Sequence, residues 1–210
     1  MIRILIADDH GVVRKGLKLI VAENPDMVVA GEAASGQEAL GLARAQDFDV
    51  AIIDIAMPGR GGLEILKGLR AERPSLKIIM LSMYSEEQYA IRSLRDGASA
   101  YITKANATDE LVKAIEAVAS GKRYITPSVA ERLASYIEED GSHLPHESLS
   151  DRELQVFVMI GSGKSVSEIA AELSLSIKTI STYRARLLEK MGMNSNAQLI
   201  KHTVQHKLEQ

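Results

Sequence analysis

The stretch Ile2-Arg3-Ile4-Leu5-Ile6-Ala7-Asp8-Asp9 decides the fold. A near-continuous run of branched apolar residues is the pattern of a strand buried on both faces, and such strands occur in parallel sheets covered by helices on either side. Four more runs of this kind follow at Met27 to Ala30, Val50 to Ile53, Ile78 to Leu81 and Ala100 to Ile102. Between them lie stretches of helical period, among them Val12 to Glu23 and Leu63 to Glu72. Alternation of this type gives right-handed βαβ crossovers. The expectation is an α/β, doubly wound, five-stranded parallel sheet of flavodoxin-like strand order 2-1-3-4-5.

The rest of the chain sets the domain plan. Its 210 residues, 46% hydrophobic and 25% charged, supply one large core or two small ones and exclude a mainly disordered chain. The absence of Cys excludes disulfides and thiolate sites and points to a reducing cytosol. No run free of Lys, Arg, Asp and Glu exceeds ten residues, too short for a bilayer span, so a soluble, cytoplasmic protein with no membrane partner is expected. Residues 1–147 carry 17 Lys+Arg against 22 Asp+Glu, a charge of −5; residues 148–210 carry 8 against 6, a charge of +2. That change of sign hints at a polyanion partner for the second part.

Ser128 to Glu139 reads as one more helix, followed by a linker from Glu138 to His146, rich in charge, Gly and Pro. From Ser150 on the pattern is helical throughout. Ser150 with Glu153 and Ser165 with Glu168 fit the capping box. Gly161 and Gly163 suit the turn that ends the first of these helices. A third helix is expected from Ser176 to about Met191 and a fourth from about Asn194 to Lys207. Leu154, Val158, Ile169, Leu173, Ile180, Leu187 and Leu188 supply a core at helical spacing. The resulting plan is residues 1–120 as an α/β domain, 121–147 as a helical segment and linker, and 148–210 as an all-α domain of four helices.

Ligands of an open parallel sheet bind beyond the carboxyl ends of its strands, at the point where connections diverge. The first run ends in Asp8-Asp9, the third in Asp54 and the fourth in Ser82, while Lys104 follows the fifth. Three converging carboxylates need a cation, and an all-oxygen set suits a hard ion such as Mg²⁺ or Mn²⁺. A carboxylate nucleophile, a divalent ion, a fixed ammonium and a hydroxyl are the parts that phosphoryl transfer to an aspartate requires.

The acidic pair, Asp54 followed by Met57-Pro58 and Gly62, Ser82, and Tyr101 three residues before Lys104 together resemble the receiver domain of two-component response regulators, over roughly residues 1 to 120. The resemblance implies that Asp54 is the phosphoacceptor. Asp9 is then a direct metal ligand, Asp8 a ligand through water, and the backbone carbonyl of Ala56 a further ligand. Ser82 and Lys104 would hold phosphoryl oxygens, and Tyr101 would be the switch aromatic. Two positions depart from the common pattern: Ala105 stands where many receivers have Pro, and Met83 where a small residue is usual.

In the second part, Ser174-Leu175-Ser176 joins two helices as a helix-turn-helix does. Residues 176–190 hold Lys178, Arg184, Arg186 and Lys190 against Glu189 alone. Together with Leu149 to Glu153 and Ser165 to Ala170, the run Lys178-Thr179-Ile180-Ser181-Thr182-Tyr183 is similar to the LuxR-type helix-turn-helix of the NarL/FixJ response regulators. That likeness places the helix-turn-helix core at 165–184. It implies DNA contacts from Lys178, Thr179, Ser181, Thr182, Tyr183, Arg184 and Arg186.

The implied protein is a phosphorylation-activated transcription regulator, not an enzyme, whose own chemistry is confined to Mg-dependent phosphorylation and dephosphorylation of itself. Its partners would be a sensor histidine kinase, double-stranded promoter DNA, a second copy of the chain on that DNA, and RNA polymerase. Three other readings fare worse. Haloacid-dehalogenase-like phosphatases place a second Asp two residues after the nucleophile, where Ala56 stands. Gly163-Lys164-Ser165 mimics the end of a P-loop, but Val158 occupies the first glycine position and a helix precedes it. His143 and His146 are read as exposed linker residues.

Overall fold

The computed structural model describes residues 1–83, 86–138, 145–206 and 208, which form two compact units, Met1–Glu131 and Arg132–Gln210. In the first, the strands β1 (Ile2–Ala7), β2 (Met27–Ala33), β3 (Val50–Asp54), β4 (Lys77–Ser82) and β5 (Ala100–Thr103) alternate with helices. The helices are α1 (Gly11–Ala22), α2 (Gly36–Ala45), α3 (Gly62–Glu72), α4 (Glu86–Arg95) and α5 (Ala107–Ala119). Every strand pair is parallel and the order is β2-β1-β3-β4-β5, as expected. β3 is buried along its whole length, which is why its sequence shows no alternation. Alternate residues Ile4, Ile6, Val50, Ile52, Ile79, Leu81 and Ile102 pack with Leu17 and Val21 of α1 and Leu111, Ile115 and Val118 of α5 in one apolar cluster. Arg3 interrupts the apolar run because it lies at the strand's start, where its Nε donates to the Asp47 carbonyl at 3.0 Å.

β2 runs three residues beyond its expected end. Gly31-Glu32-Ala33 has poor strand propensity, yet β1 pairs with it across a register shift between Ile4 and Leu5. A Cβ at Gly31 would lie 2.8 Å from the ring of Phe48, so the glycine makes room for an aromatic rather than marking the strand's end. Beyond α5, the Tyr124 N–H donates to the Ser99 carbonyl, and Tyr124 forms a parallel bridge with Ala100 on the outer side of β5. That covers part of an otherwise open sheet edge.

A further helix, α6 (Pro127–Glu138), carries Pro at its first position, where a missing N–H costs nothing. The expected linker falls mostly on 139–144, and these positions, His143 among them, lie outside the described residues, as does Lys207.

The second unit contains α7 (Asp151–Gly161), α8 (Val166–Glu172), α9 (Ile177–Met191) and α10 (Asn196–Gln205). Both capping boxes are present, at Ser150 with Glu153 and at Ser165 with Glu168. α9 ends at Gly192 in the left-handed conformation, φ 63°. Leu154, Val158, Ile169, Leu173, Ile180 and Leu187 are buried as anticipated, while Leu188 is half-buried. The two glycines after α7 divide the work differently from expectation. Gly163 takes the positive φ of the turn, whereas Gly161 is the last residue of α7 and lies against α10. A Cβ on Gly161 would come within 2.4 Å of Thr203, so its role is close helix packing.

Candidate functional site

β1, β3 and β4 end side by side, because Ala7 pairs with Ile53 and Asp54 with Leu81. The residues at these ends are buried: Asp8 and Asp54 are 0% and 1% exposed, and Ser82 is fully enclosed. Ser82 pairs with Thr103, which sets Lys104 immediately beyond the neighbouring strand end. The Lys104 ammonium lies 2.7 Å from Asp8 Oδ2 and 3.0 Å from Asp54 Oδ2. Asp8, Asp9, His10 and Asp54 each offer a ligand atom within 4.8 Å of the others. The sheet thus gathers four of the expected residues, Asp8, Asp9, Asp54 and Lys104, around one point.

Electrostatics follow from that burial. Desolvation pushes the Asp54 carboxyl up to about 6; Lys104 opposes the rise, and Asp8 adds to it. Burial works against the charge on Lys104, but Asp54 and Asp8 outweigh it and hold the ammonium above the ordinary lysine value. Asp54 Oδ1 is buried without a well-formed hydrogen bond. Three carboxylates with an ill-satisfied buried oxygen fit a hard divalent cation, His10 supplying the one nitrogen beside them.

Gly62 explains the spacing that follows Asp54. Its N–H donates to the Ile55 carbonyl at 3.0 Å, and a Cβ there would lie 2.2 Å from the Asp54 carbonyl oxygen. Only glycine lets α3 start this close to the strand end. Tyr101 is buried within β5, and Met83, which follows Ser82, is 68% exposed. Ala56 lies in the turn after β3.

Sequence reasoning missed His10 and Arg14. His10 Nδ1 approaches Asp9 Oδ1 at 2.9 Å and Asp8 Oδ1 at 3.3 Å, and Arg14 Nη1 donates to the Asp8 carbonyl at 2.6 Å. Adjacency to the acidic pair was the available signal for His10; the Arg14 contact, made to a backbone carbonyl six residues back, left none.

In the second unit, Ser174 ends α8 with φ 53°, and the Leu175 N–H donates to the Ala170 carbonyl, closing a Schellman turn without glycine. α9 then starts at the Ser176 cap, which the Thr179 N–H meets at 3.0 Å. Lys178, Ser181, Thr182 and Arg186 are exposed, while Thr179, Tyr183 and Arg184 are half-buried. Thr182 Oγ1 donates back to the Lys178 carbonyl, and Arg184 Nε donates to Asn196 Oδ1 at 2.6 Å. Lys190 pairs with buried Glu153 at 2.7 Å. The basic character read from the sequence is therefore thinner at the surface, since two of its four cations are engaged within the unit. Exposed Ile177, not anticipated, adds an apolar contact point beside Lys178.

A buried aspartate pocket at the switch point of a parallel sheet and a capped helix-turn-helix define a receiver joined to a DNA-binding module. The response regulator receiver domain model matches residues 4–116, and the model for bacterial regulatory proteins of the luxR family matches 147–203. The response regulator UvrY of Escherichia coli K12 is 38% identical over 209 residues, 99% of this chain and 96% of the relative. RcsB from Salmonella enterica serovar Typhimurium, bound to promoter rprA with the phosphomimetic BeF3-, is 27% identical at a TM-score of 0.66, covering 95% of this chain and 96% of that one. A structure of two RcsB dimers on two parallel DNAs matches at 28% identity and a TM-score of 0.61, covering 97% and 98%. This chain belongs to the LuxR-type response regulators of two-component systems, phosphorylation-dependent transcription regulators rather than enzymes. Receivers generally bind Mg²⁺ at an acidic pocket, and this chain has the aspartate cluster for it. Among the described residues no helix is long and apolar enough to cross a membrane.

Proposed function

We propose that Asp54 accepts a phosphoryl group from a sensor histidine kinase and that its phosphorylation raises the affinity of the helical unit, as a dimer, for promoter DNA. The observation that carries this reading is the buried Asp54 carboxylate, set 3.0 Å from Lys104 beside a second buried acid. An oxygen of Asp54 attacks phosphorus as the bond to the donor's imidazole nitrogen breaks, and the electron pair stays on that nitrogen, which then takes up a proton. Asp9, Asp54 and the Ala56 carbonyl would hold Mg²⁺ (or Mn²⁺), with Asp8 joined through water. When bound, the ion supplies positive charge that offsets the crowded oxygens. Lys104 exchanges its contact with Asp54 for one to a phosphoryl oxygen, and the Ser82 hydroxyl donates to another. Movement of Ser82 is passed to Tyr101, the buried aromatic on the adjoining strand.

On DNA, Lys178 and Arg186 meet phosphates, and Ser181 and Thr182 face base edges from the first turns of α9. Thr179, Tyr183 and Arg184 complete the face from half-buried positions, Arg184 steadied by Asn196. One module of this size makes few contacts, and RcsB on DNA is dimeric, so two copies on adjacent half-sites supply the missing free energy. Binding of promoter fragments measured with and without a phosphodonor tests the reading. Asp54→Asn should remove the stimulation, and Lys178→Ala should weaken specific and random duplexes alike and flatten the salt slope by about 1. Full stimulation in Asp54→Asn would overturn the proposal.

A further inference from the structure

His10 is the member of the acidic pocket that neither the sheet nor the helix accounts for. Among the described residues, Asp8, Asp9, His10 and Asp54 form the one group whose ligand atoms all lie within 4.8 Å of one another, and His10 alone brings a nitrogen to it. It stands at the N-cap of α1 with an extended backbone, φ −87° and ψ 107°, yet its side chain makes no capping hydrogen bond. That position ordinarily takes Ser, Thr, Asp or Asn, whose oxygen meets the first free N–H groups of a helix. Here the imidazole turns the other way, onto the acidic pair.

The ring is placed from two sides. The His10 N–H donates to Asp8 Oδ1 at 2.8 Å, and Arg14 Nη1, one turn into α1, donates to the Asp8 carbonyl at 2.6 Å. Nδ1 then lies 2.9 Å from Asp9 Oδ1. Around an octahedral ion with bonds of about 2.1 Å, neighbouring ligand atoms stand about 3 Å apart and opposite ones about 4.2 Å. Nδ1 and Asp9 Oδ1 therefore have the spacing of neighbouring ligands. A shared proton does not explain so short an approach, because Asp9 Oδ1 is buried without a well-formed hydrogen bond, as Asp54 Oδ1 is. A cation between these atoms satisfies both oxygens and the ring at once. The His10 side chain is 63% exposed, so the imidazole can keep its proton on Nε2, in water, and present a lone pair at Nδ1.

We propose that His10 Nδ1 is a direct ligand of the divalent ion held by Asp9 and Asp54, and that it shifts the pocket's preference from Mg²⁺ toward first-row transition ions, Mn²⁺ among them. The inference rests on reading the pocket as the receiver's metal site. Mg²⁺ gives up its waters reluctantly and gains little from a nitrogen, whereas transition ions accept imidazole readily. His10 is thus a specificity-determining residue for the ion, with Asp8 and Arg14 as the groups that position it.

The test uses the full chain with Mn²⁺ or Mg²⁺ alone and no phosphodonor. Pulsed electron paramagnetic resonance of the Mn²⁺ complex should show modulation from a directly bound ¹⁴N, and His10→Ala at saturating Mn²⁺ should lack it. In calorimetry that variant should lose at least about tenfold in Mn²⁺ affinity and clearly less in Mg²⁺ affinity. Other imidazoles must be told apart from His10. His146, which the sequence reading placed in an exposed linker, is 7% exposed, stacks on Phe157 of α7 at 6.3 Å and has its Nδ1 3.0 Å from His202 Nε2. Modulation that survives in His10→Ala comes from such rings and overturns the proposal. Bound Mn²⁺ without nitrogen modulation overturns it as well, and so does an equal loss of affinity for both ions. Asp54→Asn distinguishes the two failures: unchanged affinity for both ions there removes the metal site itself, whereas Asp54-dependent binding without the nitrogen signal removes His10 alone. If His10→Ala fails to fold, presence or absence of the signal in the parent chain decides.

Discussion

The two units use charge in opposite ways. In the receiver, one ammonium lies within 3.0 Å of each of two buried carboxylates, beyond the ends of strands whose cores are apolar. In the helical unit, buried Glu153 is neutralised by the partly exposed Lys190, and Lys178 and Arg186 of α9 stay at the surface. The receiver therefore stores an excess of buried negative charge that a divalent cation would relieve, while the helical unit keeps its charge where a polyanion can reach it. One is built to change state and the other to hold a shape.

That contrast breaks first at the glycine that frames the pocket. Gly62→Ala would drive a methyl to 2.2 Å from the Asp54 carbonyl oxygen, so the end of β3 or the start of α3 must move. Denaturation of the receiver should show a loss of roughly 3 kcal/mol or more, along with loss of phosphoryl uptake. Wild-type stability in Gly62→Ala would mean that the close approach is dispensable.

The next effect runs the other way. Asp54 has a folded pKa of about 6, above its unfolded value of about 3.9, so its favourable contribution is fully present below about pH 4 and is lost as the pH rises through about 6. Metal-free Asp54→Asn should therefore be more stable than the parent by about 2–3 kcal/mol at pH 8, with the gap closing between pH 6 and pH 4. Thermal melts of both proteins across that range check it. A gap that widens toward acid would contradict the buried-charge account, and added Mg²⁺ should narrow the gap at pH 8.

In the helical unit the corresponding cut is Lys190→Met, which leaves Glu153 buried beside only the Ser150 groups. Burial raises the Glu153 pKa, but Lys190 and Ser150 together more than offset it and hold the group below the ordinary glutamate value. Because Lys190 itself is 43% exposed at the side chain, the expected loss is modest, about 1–2 kcal/mol. It should fade in acid, once Glu153 is protonated. The smallest change is a gain: Ser174→Gly relieves a left-handed serine in the helix-turn-helix corner and should add about 0.5–1 kcal/mol to the stability of this unit. A loss there would show that the serine side chain makes a contact worth more than the strain.

The same contrast decides what could be read from sequence. Strand ends announce the pocket because the acids after two buried apolar runs, β1 and β3, meet at one edge with Ser82 and Lys104, a combination that helix capping alone does not call for. Capping boxes and the Gly192 stop were legible because each is closed within three or four residues. The long-range pairs were not. Lys190 finds Glu153 across 37 residues and Arg184 finds Asn196 across 12, so the count of free cations on α9 could not be settled from its own sequence. β2 looked shorter than it is because Gly31 reads as a breaker, and its reason, the ring of Phe48, comes from another element. His146 was misplaced for the same cause: its partners stand 11 and 56 residues further on.

The most direct measurement is intact-mass analysis of the full chain after incubation with Mg²⁺ and a competent phosphodonor, followed by peptide mapping under conditions that preserve acyl phosphates. The account predicts one added phosphoryl group, labile in base, carried by the peptide containing Asp54 and absent from Asp54→Asn. No adduct, or an adduct of equal yield in Asp54→Asn, would contradict it.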